Sequence, residues 1–213
     1  MKPLEPYFIP TGAGEAEFTE KRSSFLGHVR PVETEEAAKE FIAAMKKQYH
    51  DARHNCWCYR IQGGPERYSD DGEPQGSAGI PMLEVFKRAE VTNVVCVVTR
   101  YFGGVLLGTG GLLRAYTKSA KDALDAAGIS AVRRWVRLDV RCAYALFERV
   151  KTAVTAAGGA VEGLDYGADV VLHALLPEEQ AETLRAQLRD LSAGSAEAKD
   201  AGQALKAVPM EGI

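Results

Sequence analysis

The sequence predicts an α+β fold with two domains, and three observations lead to this prediction. Short strand patterns alternate with one-sided helix patterns along all 213 residues. Residues 94–98 form a continuous β-branched apolar run, which is typical of a central strand covered on both faces. From about residue 135 the pattern becomes strand, helix, strand, strand, helix and terminal strand, which indicates a ferredoxin-like layer. We therefore expect domains over residues 1–132 and 133–213.

The first domain is predicted to begin, after a loose start, with a strand over residues 18–30. A helix follows, because Thr34 is a good N-cap and apolar residues then recur every three or four positions. The pattern continues with a strand over residues 54–61 and a polar, glycine-rich loop over residues 62–79. The rest of the domain is expected to contain a short helix from Ile80, the strand at 94–98, a glycine-rich stretch at 103–111 and a helix at 112–127 that ends at Gly128.

The second domain is predicted from alternation between apolar and polar residues and from turn signals. Its strands and helices are expected to be short, and one or two edge strands should complete the layer. The predicted elements are strands at 135–142, 160–165 and 169–176, helices at 144–157 and 178–191, and the edge strands near 195–208.

Composition excludes several classes of protein. The chain is 46% hydrophobic and 26% charged, which is too apolar for a disordered chain. No apolar run approaches the roughly 20 residues that span a bilayer, and the amino terminus lacks a signal-peptide core. Four cysteines in a chain of this length do not indicate a disulfide framework. We expect a cytoplasmic protein with reduced thiols and no membrane association.

Charge is distributed unevenly between the two domains. The net charge of the whole chain is −3. Residues 1–134 contain 18 Lys and Arg against 17 Asp and Glu, whereas residues 135–213 contain 8 against 12. A uniformly basic nucleic-acid-binding protein is therefore not expected, and any basic surface must be local to the first domain.

Three carboxylates, Asp70, Asp71 and Glu73, lie within four residues in the loop at 62–79. They are suitable ligands for Mg²⁺, and they are equally typical of turn sequences such as Asp-Gly and Glu-Pro. The nearby run of His50, His54, Cys56 and Cys58 lacks the spacing of a zinc knuckle. We expect no cofactor and no metal centre, and Mg²⁺ at the acidic loop is kept as an alternative.

The second candidate site is the glycine-rich stretch that leads into the helix at 112–127. Exposed backbone amides at the start of a helix bind anions, since their N–H groups and the helix dipole both favour negative charge. No lysine follows the glycines as it does in a P-loop, and glycines also allow close backbone packing over a sheet. The glycines concerned are Gly103, Gly104, Gly108, Gly110 and Gly111.

A basic stripe follows on the same helix. Arg114, Lys118 and Lys121 share one helix face, and Arg100 precedes the glycine-rich stretch at the end of a strand. This combination is suited to the phosphates of RNA or of a small ligand. Part of the charge is expected to be paired internally, because Asp122 and Asp125 follow Lys118 and Lys121 by four residues.

Three segments taken together resemble the Impact/YigZ family. They are DARHNCWCYR (residues 51–60), SDDGEPQGSAGIPML (69–83) and VVTRYFGGVLLGTGGLLRAY (97–116). The resemblance implies a first domain similar to domain 2 of ribosomal protein S5 and a ferredoxin-like second domain similar to one in elongation factor G. The sequence departs from the family pattern at Leu106, where a lysine is usual, and this weakens a phosphate site at the loop.

The resemblance implies regulation of translation by binding. The expected partner is RNA, the ribosome or a translation-related protein, and the expected contact surface combines Arg100, Arg114, Lys118 and Lys121 with the glycines. The alternative is an enzyme that binds a phosphorylated or nucleotide small molecule at the glycines, beside a metal held by the acidic loop. Sugar and mevalonate kinases share the S5-like topology, so this alternative rests on analogy of fold. A protein-interaction module is a third possibility.

Overall fold

Two β-sheets organise the chain in the computed structural model, which describes residues 6–210. Contacts divide these residues into two units. The N-terminal unit contains residues 7–131 and 207–210, and the C-terminal unit contains residues 132–206. Each unit has its own apolar core, so the predicted α+β class with two domains is confirmed.

The N-terminal unit contains one sheet with the strand order β2-β3-β6-β4-β5, in which all neighbours are antiparallel. Helices α2 and α3 pack on one face of this sheet and α1 packs on the other. Its elements are β1 (Tyr7–Pro10), β2 (Gly14–Glu20), β3 (Ser23–Pro31), α1 (Glu35–Gln48), β4 (His54–Arg60), β5 (Glu66–Ser69), α2 (Gly79–Arg88), β6 (Val94–Tyr101) and α3 (Thr109–Ala127).

Strand β6 is the central strand of this sheet, as its apolar composition predicts. Val95 and Val97 pack toward α1, while Cys96 and Val98 pack toward α2 and α3. All four side chains are fully buried. The prediction of a strand covered on both faces is therefore confirmed. Because the glycine-rich loop follows β6 in the chain, it begins at the middle of the sheet.

Three predictions about this unit are wrong in detail. The single strand at 18–30 is a hairpin, because Lys21 and Arg22 adopt positive φ angles of 47° and 67° and turn β2 into β3. The loop at 62–79 contains the edge strand β5, which lacks an apolar pattern because two of its four side chains are exposed. Helix α3 begins at Thr109, three residues earlier than predicted, so Gly110 and Gly111 belong to the helix.

The C-terminal unit has the strand order β10-β7-β9-β8, which is that of a ferredoxin-like fold. Helices α4 and α5 bury one face of the sheet. The terminal strand is a single strand of 13 residues, not the one or two short strands predicted. The elements are β7 (Ile129–Cys142), α4 (Phe147–Ala156), β8 (Ala160–Tyr166), β9 (Val170–Pro177), α5 (Ala181–Ser192) and β10 (Glu197–Pro209).

No helix within residues 6–210 is both long enough and apolar enough to cross a lipid bilayer.

Candidate nucleic-acid interface

Strand pairing brings several basic segments to one end of the N-terminal sheet. Ser24 pairs with Tyr101, so the turn at Lys21 and Arg22 lies where β6 ends. His54 pairs with Arg100, and the backbone N–H of Arg53 donates to the carbonyl of Arg100. The turn, the start of β4 and the glycine-rich loop after β6 are therefore neighbours at this end of the sheet.

The glycine-rich loop is anchored at its first glycine. A Cβ atom at Gly103 would lie 2.0 Å from the carbonyl carbon of Arg22, so no larger residue fits without moving the turn. The Gly103 N–H also donates to Ser23 Oγ at 3.2 Å. Farther along, the loop is open to solvent: Leu106 is 81% exposed and Phe102 is 47% exposed.

The loop leads into α3 through an open helix N-terminus. Gly108 is the N-cap, with φ of 72°, and no side chain caps the first turn. The first N–H groups of the helix therefore have no acceptor within it, which gives this end partial positive charge. Arg114 is exposed in the second turn, and one of its guanidinium nitrogens lies 3.6 Å from the position that a Cβ on Gly110 would occupy.

Arg100 does not belong to the exposed surface, and the expectation that it does is corrected. It is 5% exposed, and its Nη1 donates to Glu73 Oε1 at 2.6 Å. Its guanidinium also lies over the rings of Phe25 and Phe102. Burial of an arginine requires such a partner, because an unpaired charge in the interior is strongly unfavourable.

Asp70 holds the acidic loop to the start of α2. Its Oδ1 accepts hydrogen bonds from the N–H groups of Ala78 and Gly79, at 3.0 and 2.8 Å, and its Oδ2 accepts one from Gly76 at 2.8 Å. A carboxylate at this position satisfies helix N–H groups that have no other partner. Asp70 is therefore a structural cap.

Asp71 and Glu73 are also occupied by protein partners. Asp71 accepts hydrogen bonds from Lys46 Nζ at 2.5 Å and from the N–H of Asn55 at 2.7 Å. Glu73 Oε1 accepts from Tyr116 OH at 2.8 Å as well as from Arg100. Within residues 6–210 no cluster of three His, Cys, Asp or Glu side chains is arranged to hold a metal ion. The alternative of Mg²⁺ bound by Asp70, Asp71 and Glu73 therefore loses its ligands.

Burial keeps two titratable groups beneath the loop, Cys56 and Tyr116, in their protonated forms. Burial raises the pKa of the Cys56 thiol well above its usual range, so it stays protonated at neutral pH and is a poor nucleophile. Burial likewise raises the pKa of Tyr116, whose hydroxyl donates to Glu73. The enzyme alternative requires the acidic loop and the glycine-rich loop to line one open pocket, whereas the acidic loop meets the end of β6 through the buried ion pair of Glu73 with Arg100.

The predicted stripe on α3 is exposed but largely paired. Lys118 binds Asp122 and Lys121 binds Asp125, both at 2.5 Å, as the i, i+4 spacing predicts. Arg114 forms no ion pair with a carboxylate among the described residues. Only Arg114 of the three therefore offers unpaired positive charge.

Lys21, Arg22 and Arg53 are further basic residues at this end, beyond the site residues predicted from the sequence. All three are exposed, and none forms an ion pair within residues 6–210. We call these three residues together with Arg114 the basic end. Lys21 and Arg22 are visible in the sequence as an adjacent basic pair, but the hairpin turn that exposes them has no local sequence signal. The position of Arg53 at this end of the sheet could not be predicted from the sequence, because it depends on the pairing of β4 with β6.

A separate cluster of titratable groups lies on the exposed face of the C-terminal sheet. His173 Nδ1 lies 2.7 Å from Asp139 Oδ1, and His173 Nε2 lies 3.0 Å from Asp165 Oδ2. Hydrogen bonds to Asp139 and Asp165 raise the pKa of His173 above 6.5. Since the side chain is 37% exposed, solvent weakens both interactions.

We predict a small pH dependence of stability from His173. A folded-state pKa above the unfolded value gives stabilisation that is complete below about pH 6.5 and is lost as pH rises through the folded pKa. Replacing His173→Gln should therefore lower the melting temperature by about 1 to 3 °C at pH 5.5 and by less at pH 8.5. Thermal unfolding followed by circular dichroism measures this, and an equal effect at both pH values would contradict it.

Comparison with protein families gives two matches along the chain. The Impact N-terminal domain matches residues 21–124, which include the acidic loop, the glycine-rich loop and the basic end. A domain of unknown function, DUF1949, matches residues 140–195 of the C-terminal unit.

Curated relatives and a solved structure agree with these matches. The chain is 34% identical over 199 residues to the IMPACT family member YvyE of Bacillus subtilis, with 92% of each chain covered. It is 32% identical to the IMPACT family member YigZ of Escherichia coli, covering 90% of this chain and 96% of that protein. A crystal structure titled as a hypothetical protein aligns with a TM-score of 0.58 at 32% identity, covering 92% of this chain and 97% of the other. With matches of this length and identity, the chain belongs to the IMPACT family.

Proposed function

We propose that this protein is a non-catalytic, translation-associated protein that binds RNA through the basic end. The observation that carries the proposal is the gathering of four exposed, unpaired cations around an open glycine-rich loop. In the described part of the chain the other lysines and arginines of α3 are already paired with carboxylates. The link with translation rests on the family resemblance.

The chemistry of this end suits a single-stranded phosphate backbone. Exposed arginines and lysines bind phosphates, and the open N-terminus of α3 adds N–H donors that favour an anion. Phe102 presents an exposed ring beside these cations, and unpaired bases stack on such rings. The carboxylate of Asp51 lies nearby, but it accepts a hydrogen bond from Tyr101 OH.

We predict that reversing two charges at the basic end weakens RNA binding. The double variant Arg22→Glu/Arg114→Glu should lower the affinity for a pool of single-stranded RNA about tenfold or more, since each arginine contacts phosphate and each glutamate repels it. Fluorescence anisotropy at low salt, with about 20-nucleotide random RNA and with ribosomal RNA, provides the measurement.

The matched control is Arg67→Glu/Arg88→Glu, which makes the same change in charge at the opposite end of the unit. Both of these arginines are exposed. The control should change the affinity less than twofold. An equal loss in both double variants would show that only net charge matters, and the absence of RNA binding by the unaltered protein at low salt would refute the proposed function.

A further inference from the structure

We propose that Cys58 and Cys96 are an oxidation site, at which a small-molecule disulfide such as oxidised glutathione converts the two thiols into a disulfide that joins β4 to β6. This inference goes beyond RNA binding and concerns the core of the N-terminal unit. All four cysteines of the chain are free and buried, and the strand register places Cys58 and Cys96 directly opposite each other.

Strand pairing brings these two thiols together from distant parts of the chain. Strands β4 and β6 are antiparallel, and Cys58 is the register partner of Cys96. Both side chains are fully buried in the apolar core beneath α2 and α3, so they leave the sheet on the same face. Burial, followed by a hydrogen bond with the Cys96 thiol, raises the pKa of the Cys58 thiol well above its usual range. The two sulfur atoms are therefore neighbours within the core.

The spacing of directly opposed residues suits a disulfide. Their Cα atoms lie about 4.5 to 5.5 Å apart in an antiparallel pair, and a disulfide accepts separations of about 4.4 to 6.8 Å. Their Cβ atoms lie about 4.5 to 5.5 Å apart, so a shift of at most about 1 Å brings them within the roughly 4.5 Å that a disulfide spans. The β4–β6 ladder extends from His54 to Arg60, on both sides of the pair, and this keeps the register fixed.

The other two cysteines are directed elsewhere. Cys56 lies opposite Val98, and its Sγ donates a hydrogen bond to the Asp70 carbonyl at 3.0 Å. It is only a diagonal neighbour of the cysteine on β6, and diagonal neighbours lie about 7 to 8 Å apart, beyond the reach of a disulfide. Cys142 lies in the core of the C-terminal unit. The structure therefore predicts one particular pairing among the four cysteines.

The reaction consists of two successive thiol–disulfide exchanges. One cysteine loses its proton, and its thiolate attacks a sulfur of oxidised glutathione and releases one reduced glutathione. The thiolate of the other cysteine then attacks the protein sulfur of this mixed disulfide and releases the second glutathione. The protein thiols lose two protons and two electrons in total, and the two glutathione sulfurs take them up. Because both thiols are fully buried, the first exchange requires local opening of the core.

The test is oxidation of the full-length protein by oxidised glutathione, followed by blocking of free thiols and peptide mapping by mass spectrometry. We expect a disulfide between Cys58 and Cys96 as the main product, formed faster in urea below the unfolding transition because opening is then more frequent. The cross-link closes a loop that contains β5, the acidic loop and α2. The melting temperature of the oxidised protein should therefore rise by about 5 to 10 °C and return to its former value with dithiothreitol.

The variant Cys58→Ala should form no internal disulfide and should melt at the same temperature with and without oxidant. The matched control Cys142→Ala, at another buried cysteine, should oxidise as the unaltered protein does. A different main pairing, a glutathione adduct without the internal disulfide, or the absence of oxidation would overturn the proposal, as would a lower melting temperature after oxidation. Mapping of the unaltered protein decides the pairing even if Cys58→Ala does not fold. Neither Cys58 nor Cys96 belongs to the basic end, so the result is independent of RNA binding.

Discussion

Replacing Arg100→Met should destabilise the N-terminal unit by about 3 to 5 kcal/mol. The guanidinium compensates the Glu73 carboxylate, whose side chain is only 3% exposed. Methionine leaves that carboxylate buried between the Tyr116 hydroxyl and His54, whose Nε2 lies 3.8 Å from Glu73 Oε2, without its closest positive partner. Thermal unfolding should report a melting temperature lower by about 10 °C. Denaturant unfolding gives the free energy directly.

The double variant Arg100→Met/Glu73→Gln distinguishes the loss of charge compensation from the loss of packing. Glutamine keeps an acceptor for the Tyr116 hydroxyl and removes the buried charge, so more than half of the lost stability should return. A cost below about 1 kcal/mol for Arg100→Met alone would contradict the assignment of the pair as buried and essential.

Replacing Asp70→Ala should cost about 2 kcal/mol, the second largest effect that we expect. Three backbone N–H groups would lose their acceptor: that of Gly79, the first residue of α2, that of its N-cap Ala78, and that of Gly76 in the loop before the helix. Denaturant unfolding of the full chain measures this cost. Adding Mg²⁺ should not change the stability of the unaltered protein, since the carboxylate serves as a cap.

Two further variants calibrate this result. Asp70→Asn keeps the oxygen that Ala78 and Gly79 contact, so it should lose about half as much stability. Asp125→Ala removes an exposed carboxylate that pairs only with Lys121, and it should cost less than about 0.5 kcal/mol. Equal costs for Asp70→Ala and Asp125→Ala would contradict the capping role.

The order of the elements was largely predictable from local sequence. Thr34, the apolar run of β6 and Gly128 each mark an element by chemistry that acts within a few residues. Strand β5 was not predictable, because its side chains are partly exposed and its only partner is β4. The hairpin at Lys21 and Arg22 was missed because positive φ values at such residues carry no sequence signature of the kind that glycine provides.

The candidate site was only partly predictable, because burial and pairing are properties of the folded chain. The sequence places Arg100 beside the glycines, but only the fold shows that Glu73 reaches it from 27 residues away and buries it. The pairing of Lys118 and Lys121 was predictable, since helix spacing alone determines it. Arg53 joins the basic end through strand pairing, which no local pattern indicates.

The salt dependence of RNA binding tests the central proposal most directly. Each phosphate contact on single-stranded RNA contributes about 0.7 to the slope of log affinity against log salt concentration. If Arg22 and Arg114 each contact a phosphate, Arg22→Gln/Arg114→Gln should reduce the slope by about 1.4, whereas Arg67→Gln/Arg88→Gln should leave it unchanged. Equal slopes for the unaltered protein and for Arg22→Gln/Arg114→Gln would contradict RNA binding at the basic end.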